Sequence, residues 1–424
     1  MAFHQRCATN GLLVLALAHA GALAAPPSFD AVREHPRWTS FVQQVVSRYV
    51  VAVPEALLRR GCENALAAGK ADEGVEPVVT CINGALAELD GVSAYIDPET
   101  QARDTANARR PFVGIGLEFA RKVRGESMLV VQPITGGPGD RAGIRPGDQV
   151  LDIDGVDLRP LSTDEAIAAM RGDAGSVARV TLRRAGHAEP IVLTARREQI
   201  RILSARARLL PGGLAYARIN QFAGHTAQQL AERLDALHPA GTAAPTGLVL
   251  DLRNNTGGLL DALVDVASLL APAGQPVVGT WSRDKIEMRR TWPAKGEVAA
   301  SAASAGAAPD WPTRARIVVL VNEHTASGAE ALAQFLRETR GARLAGQQTF
   351  GAPHIQQRLR IDGGATVQLV IAIMESPLGQ RWSRGLTPDI RLEPEASPKP
   401  EFGHPDDVWL GQAVKLLQAE VRAR

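Results

Sequence analysis

The sequence has 424 residues, enough for two or three domains, and its 45% hydrophobic and 22% charged content is that of a globular chain able to bury real cores. A net charge of +2, with no dense Lys/Arg cluster, argues against a nucleic-acid binder that works by neutralising phosphates. The nine scattered histidines show no ligand spacing, so no metal site is expected, and no cofactor is implied.

Residues 1–24 read as a secretory signal peptide. Arg6 stands in an acid-free start, Gly11 to Ala20 is apolar apart from His19, and Ala22-Leu23-Ala24 fits a small-x-small cleavage site. The apolar run is too short to favour a membrane span, and an uncleaved anchor is the competing reading. Cys7 precedes the apolar run and does not fit a lipid-attachment cysteine. An exported, periplasmic chain is therefore expected, keeping Cys62 and Cys81. These two can form one disulfide between neighbouring helices or remain as two buried thiols.

Residues 25–110 have the three- and four-residue apolar spacing of helices: Phe41-Val45-Tyr49, then Leu58-Cys62-Ala65, then Cys81-Ile82-Ala85-Leu89. Residues 111–198 change character. Short apolar runs (Val113 to Phe119, Met128 to Val131, Val150 to Ile153, Val177 to Leu182, Glu189 to Thr194) surround one helix that starts at Ser162 with a capping pattern. That describes a small β-rich module. From 199 to 395 strands and helices alternate, which predicts an α/β core, with the low-complexity stretch 299–308 as a mobile loop or linker. Residues 355–375 read as two strands around Asp362-Gly363-Gly364. A terminal helix is expected within residues 396–424.

The most informative stretch runs from Arg316 to Gln356. The apolar run Ile317 to Val321 reads as a buried strand, and Ala329, Leu332, Ala333 and Leu336 carry a helix. Ser327 lies where the strand hands over to the helix. Free backbone N–H groups and the helix dipole favour an oxyanion there, so the serine can be a nucleophile, or simply a helix cap.

With these pieces in order the chain resembles the C-terminal processing peptidases, exported serine peptidases with a PDZ domain. The resemblance rests on several motifs in the family's order. Ile82-Asn83-Gly84 to Asp90 and Tyr95 to Glu99 look like its N-terminal region. Gly114-Ile115-Gly116-Leu117 looks like the carboxylate-binding loop of the PDZ domain, and Ala142 to Asp148 with Ile153-Asp154-Gly155 matches the PDZ pattern. Asp251 to Gly258 is similar to the glycine-rich motif, with Thr256 where proline is usual. Thr325 to Glu330 matches the nucleophile motif, Thr349-Phe350-Gly351 begins the second catalytic motif, Gln356 ends it, and Gly385 to Ile390 looks like the closing segment. The resemblance implies a multidomain α/β protein: a helical N-terminal region, a PDZ-like domain, and a crotonase/ClpP-like peptidase core. It also implies Ser327 as nucleophile, and Gly257, Gly258 and Gly328 as oxyanion donors.

One position departs from the family. Its general-base lysine is replaced by Ala352, which has no proton acceptor, and an aliphatic hydroxyl is a poor nucleophile until a base takes its proton. If Ala352 to Gln356 is extended, side chains 352, 354 and 356 share one face. His354 is then a candidate base, with Gln356 to orient it, and His324 is a weaker candidate. Both are otherwise ordinary surface or structural histidines. Two functions follow. One is an exported serine endopeptidase that holds free C-terminal tails in the 114–117 loop, an anion-binding run of backbone N–H groups, and cuts the chain nearby. The other is a catalytically impaired relative that binds tails or regulates another peptidase.

Overall fold

The computed structural model describes residues 28–68, 75–109, 113–119, 128–134, 136–200, 203–283, 290–294, 310–393, 402–404 and 406–423. The signal peptide and the 299–308 stretch expected from sequence lie outside the described residues.

Three helices open the chain: α1 (Pro36–Arg48), α2 (Glu55–Ala67) and α3 (Pro77–Ala87). Pro36 and Pro77 each stand in the first turn, where a missing N–H costs nothing. Helices α2 and α3 cross at Gly61 and Gly84: a Cβ on Gly61 would meet the Gly84 carbonyl oxygen at 2.5 Å. Next to this crossing Cys62 and Cys81 form a disulfide. A short strand that the sequence reading missed, β1 (Ala94–Ile96), follows, and then α4 (Pro98–Arg109).

The β-rich module contains β2 (Val113–Gly114), β3 (Leu117–Phe119), β4 (Met128–Pro133), α5 (Pro138–Arg141), β5 (Gln149–Ile153), β6 (Val156–Asp157), α6 (Thr163–Met170), β7 (Val177–Arg183), β8 (Ile191–Arg196) and β9 (Glu198–Gln199). Strands β3-β4-β5-β7-β8 pair in that order, with β6 on β5, while β2 and β9 form a separate pair where the chain enters and leaves. Alternating burial along β7 points Ala178, Val180 and Leu182 into the module's own core, with Met128, Val130, Val150 and Ile153.

The core sheet is built from β10 (Ala205–Leu210), β11 (Leu214–Ile219) and, after helix α7 (Thr226–Asp235), β12 (Gly247–Asp251). Helix α8 (Leu260–Leu270) leads to β13 (Pro276–Trp281) and β14 (Arg290–Pro293) of a different sheet, before β15 (Arg316–Val321) rejoins the core. Helix α9 (Gly328–Arg340), β16 (Arg343–Gly346), β17 (His354–Arg360), β18 (Thr366–Glu375), β19 (Ile390–Arg391) and α10 (Val408–Arg422) complete the chain.

Core strands run in the order β10-β11-β12-β15-β16-β19, parallel except for β10. β11 and β12 are buried along their whole length, as expected of parallel strands covered on both faces. Helices α7, α8 and α9 cover one face through Leu230, Leu263 and Phe335. The C-terminal helix α10 covers the other through Trp409, Leu410, Ala413 and Leu417 against Val249, Val318 and Leu320.

The remaining sheet, β1-β18-β13-β14 with β17 on β18, packs elsewhere. Val367, Leu369 and Val370 of β18 share a core with Phe41, Val45, Leu58 and Ile82 of the N-terminal helices. The helical region and this part of the 199–395 segment are thus one packed body.

Candidate active site

The site forms where β12 and β15 end, at the C-terminal edge of the parallel sheet, where the open crevice of α/β sheets lies. The loop after β12 carries residues 252–258. The loop after β15 carries 322–327 and enters α9. A reciprocal amide pair joins them: Asn254 N donates to Asn322 Oδ1 at 2.9 Å, and Asn322 Nδ2 donates to Asn254 Oδ1 at 2.7 Å. Thr325 Oγ1 donates to the Leu252 carbonyl at 3.0 Å and Ala326 N to that of Asn255 at 2.9 Å.

Ser327 stands at the junction with φ 55° and ψ −119°, a backbone state that L-residues rarely adopt. Conformations of this kind cost about 1–3 kcal/mol and persist only where the surroundings over-determine them. The surroundings here centre on Glu330, whose carboxylate is fully buried. It accepts from Ser327 N at 2.9 Å, Gly351 N at 2.8 Å, Ala352 N at 2.9 Å and the Thr349 hydroxyl. One acid therefore ties the serine turn to the loop that leads into β17. Thr349 in turn pairs with the closing segment, its N donating to the Leu386 carbonyl and its Oγ1 accepting from Leu386 N. The Ser327 hydroxyl donates no hydrogen bond among the described residues.

Gly257 presses against this turn and Gly258 against the Phe222 backbone. Both have positive φ, 97° and 144°. A Cβ on Gly257 would meet Gly328 N at 2.8 Å and Ser327 Cβ at 2.9 Å, and one on Gly258 would overlap the Phe222 carbonyl. Glycine is required by this approach of backbone to backbone. The three expected oxyanion donors are not equivalent. Gly257 N already donates to Asn255 Oδ1 at 2.8 Å, so it is spent on holding the turn. The amides of Gly258 and Gly328 have no hydrogen-bond partner among the described residues.

A cavity of about 630 Å³ opens over Ser327, and Ala352, His354 and Gln356 line it together with Asn254, Thr256 and His324. The alternation expected from 352 to 356 therefore does bring these side chains to one space. Strand β17 begins only at His354, and the bulge in its pairing falls on β18, where His354 faces Ile373 and Gln356 faces Val370. Gln356 does not orient a base as expected. Its Nε2 donates to the Val92 carbonyl at 2.8 Å and its Oε1 accepts from Gln368 Nε2 at 2.8 Å. His354 is partly buried, and its Nδ1 is shut off from solvent with no partner among the described residues. His324 is more open, with its Nε2 3.7 Å from Glu323 Oε1.

The Gly114–Leu117 loop lies in the β-rich module. Ile115 is buried, Gly116 has φ 69°, and the amides of Ile115 and Gly116 make no hydrogen bond among the described residues. Phe119, two residues beyond this loop on β3, reaches the cavity over Ser327.

Sequence reasoning did not find the charged cluster beneath the site. Arg218, Asp251, Arg253 and Asp407 are all buried. Arg253 bridges both acids, at 2.7 Å to Asp251 and 2.5 Å to Asp407, and Arg218 lies 3.6 Å from Asp251. Both guanidinium groups stack on the Phe402 ring, and Tyr216 donates to Asp251. Burial pushes the Asp251 carboxyl up, but the charges of Arg253 and Arg218 outweigh it and hold it at about 2. Since Arg253 opens the 253–258 loop, the cluster fixes that loop to Asp407, the N-cap of α10.

Comparisons with known proteins agree with this architecture. Residues 213–392 match the model of peptidase family S41, and residues 129–184 match a PDZ domain model. A carboxyl-terminal-processing protease of Synechocystis sp. is 33% identical over 352 residues, which cover 82% of this chain and 78% of that one. The carboxy-terminal processing protease CtpA of Bacillus subtilis is 30% identical over 349 residues, covering 81% and 70%. Among solved structures, the photosystem II D1 C-terminal processing protease superposes with a TM-score of 0.56 at 26% identity, covering 87% of this chain and 95% of that one.

Proposed function

The chain belongs to peptidase family S41, and from that premise we propose an exported serine endopeptidase that grips free C-terminal tails and cuts them at Ser327. It is a serine-type hydrolase of the carboxyl-terminal processing kind with a PDZ domain. The observation that carries the reading is Ser327 itself: a hydroxyl on a strained turn, at a helix N-terminus, opening into a cavity, with the next residue's amide, that of Gly328, without a partner among the described residues.

In this reading the Ser327 Oγ attacks a peptide carbonyl, the C–N bond breaks, the fragment with the new amino terminus leaves, and an acyl-enzyme remains. The oxyanion rests on the amides of Gly258 and Gly328, with the dipole of α9 behind them. Water then releases the new C-terminus. The tail's carboxylate is held by the free amides of the 114–117 loop, and its chain runs along β3 toward Phe119 and the cavity. The apolar start of the sequence supports export to the periplasm, and among the described residues no helix is long and apolar enough to cross a membrane.

A fluorophosphonate probe tests this on the purified chain, alongside hydrolysis of a protein with an apolar tail. Labelling and cleavage are expected in the natural protein and absent from Ser327→Ala. C-terminal amidation of the substrate is expected to weaken its binding. A natural protein that neither labels nor cleaves, yet binds tails, would overturn the assignment.

A further inference from the structure

We propose that His354 is the general base for Ser327, standing in for the amine that Ala352 removes. This rests on the peptidase reading above. The lysine place is empty of any acceptor, so either the serine has no base or another group on the cavity wall supplies one. Besides Ser327, the titratable side chains among the described residues lining that wall are His324 and His354. Behind the wall Glu330 is committed to its four donors, and Glu323 sits beside His324.

Three observations select His354. It follows Ala352 by two residues and enters the same cavity. Its position is fixed, because buried Pro353 precedes it, the Pro353 carbonyl accepts from Met374 N at 2.7 Å, and His354 itself pairs with Ile373. Its Nδ1 is buried with no hydrogen-bond partner among the described residues, a condition that calls for a role. His324 lacks the third of these features: its side chain is 55% exposed and its Nε2 lies 3.7 Å from Glu323 Oε1.

The step balances without any outside reagent. The imidazole takes the proton from Ser327 Oγ as the new C–O bond forms. The imidazolium returns that proton to the departing amine nitrogen as the C–N bond breaks. In deacylation the same imidazole takes a proton from water and gives it to Ser327 Oγ.

The test measures kcat and KM for a tail-bearing substrate, with folding checked by thermal melting. His354→Ala is expected to lower kcat by about 10²–10⁴-fold with KM little changed. Added imidazole is expected to restore part of the loss, and His324→Ala to retain hydrolysis. The double variant His354→Ala with Ala352→Lys is expected to recover activity with the acid limb of its pH–rate profile moved. If His354→Ala does not fold, His354→Gln, close in volume, carries the same kcat test. Hydrolysis abolished by Ser327→Ala but undiminished by the His354 variants would overturn the base assignment and leave the peptidase standing. No hydrolysis or labelling in the natural protein would overturn both.

Discussion

At the scale of single residues, the site depends on an acid that touches no substrate. Glu330 offers its two oxygens to four donors drawn from Ser327, Thr349, Gly351 and Ala352. Without it, the strained turn at Ser327 would relax and the 349–352 loop would lose three of its hydrogen bonds. Glu330→Gln replaces one acceptor oxygen with an NH₂ group that faces N–H donors. The expected result is a loss of about 2 kcal/mol of stability, measured by urea unfolding, and a fall in kcat of about tenfold or more with KM less affected. Equal kcat in the variant would show that the serine turn holds itself. The Ser-x-x-Glu spacing was present in the sequence as part of the nucleophile motif and as a capping pattern. What could not be seen there is that the same carboxylate clamps residues 19 to 22 positions further on. The spent amide of Gly257 was equally hidden, because it depends on which way the Asn255 side chain turns.

At the scale of elements, the long periodic segments and the longer strands of the β-rich module were legible, and several shorter elements were not. Helices α1 to α3, the β11 to α9 alternation and the α10 tail follow from apolar spacing, since each buries a full stripe or strand. Strand β1 has three residues and exists because β18 pairs with it, with Tyr95 opposite Val367. No local pattern encodes such a partner. The same limit hid the joining of the N-terminal helices to β18 in one core. The sequence left Cys62 and Cys81 as a disulfide or two thiols; the structure joins them where Gly61 and Gly84 let α2 and α3 touch. Closing a loop of this size removes unfolded-state freedom worth about 3 kcal/mol. The double variant Cys62→Ala, Cys81→Ala is therefore expected to lose 2–4 kcal/mol, and the natural protein to lose a similar amount under reductant. Ser327 enters α9, whose Ala329 and Leu332 pack in the other core, so fluorophosphonate labelling below the melting point is expected to persist.

At the scale of the whole molecule, the buried charges connect the active-site loop to the far end of the chain. Among the described residues two arginines and two aspartates face one another here, and Asp407 joins them while capping α10 through Leu410 N. Removing one member leaves a buried charge uncompensated, which typically costs about 3–5 kcal/mol. Asp407→Ala is therefore expected to weaken the whole core and to loosen the 253–258 loop, so labelling of Ser327 should fall together with stability. The acid response tests the same cluster independently. The folded-state pKa of Asp251 is depressed to about 2, so its contribution is fully present above the ordinary carboxylate range. That contribution is about 2 kcal/mol, and it is lost as pH falls from about 4 through about 2. Natural protein and Asp251→Asn should thus differ most in urea unfolding at neutral pH and converge toward pH 2. A gap that stayed constant across that range would mean that the carboxyl's charge does not hold the arginines, and that the cluster acts through shape and hydrogen bonds alone.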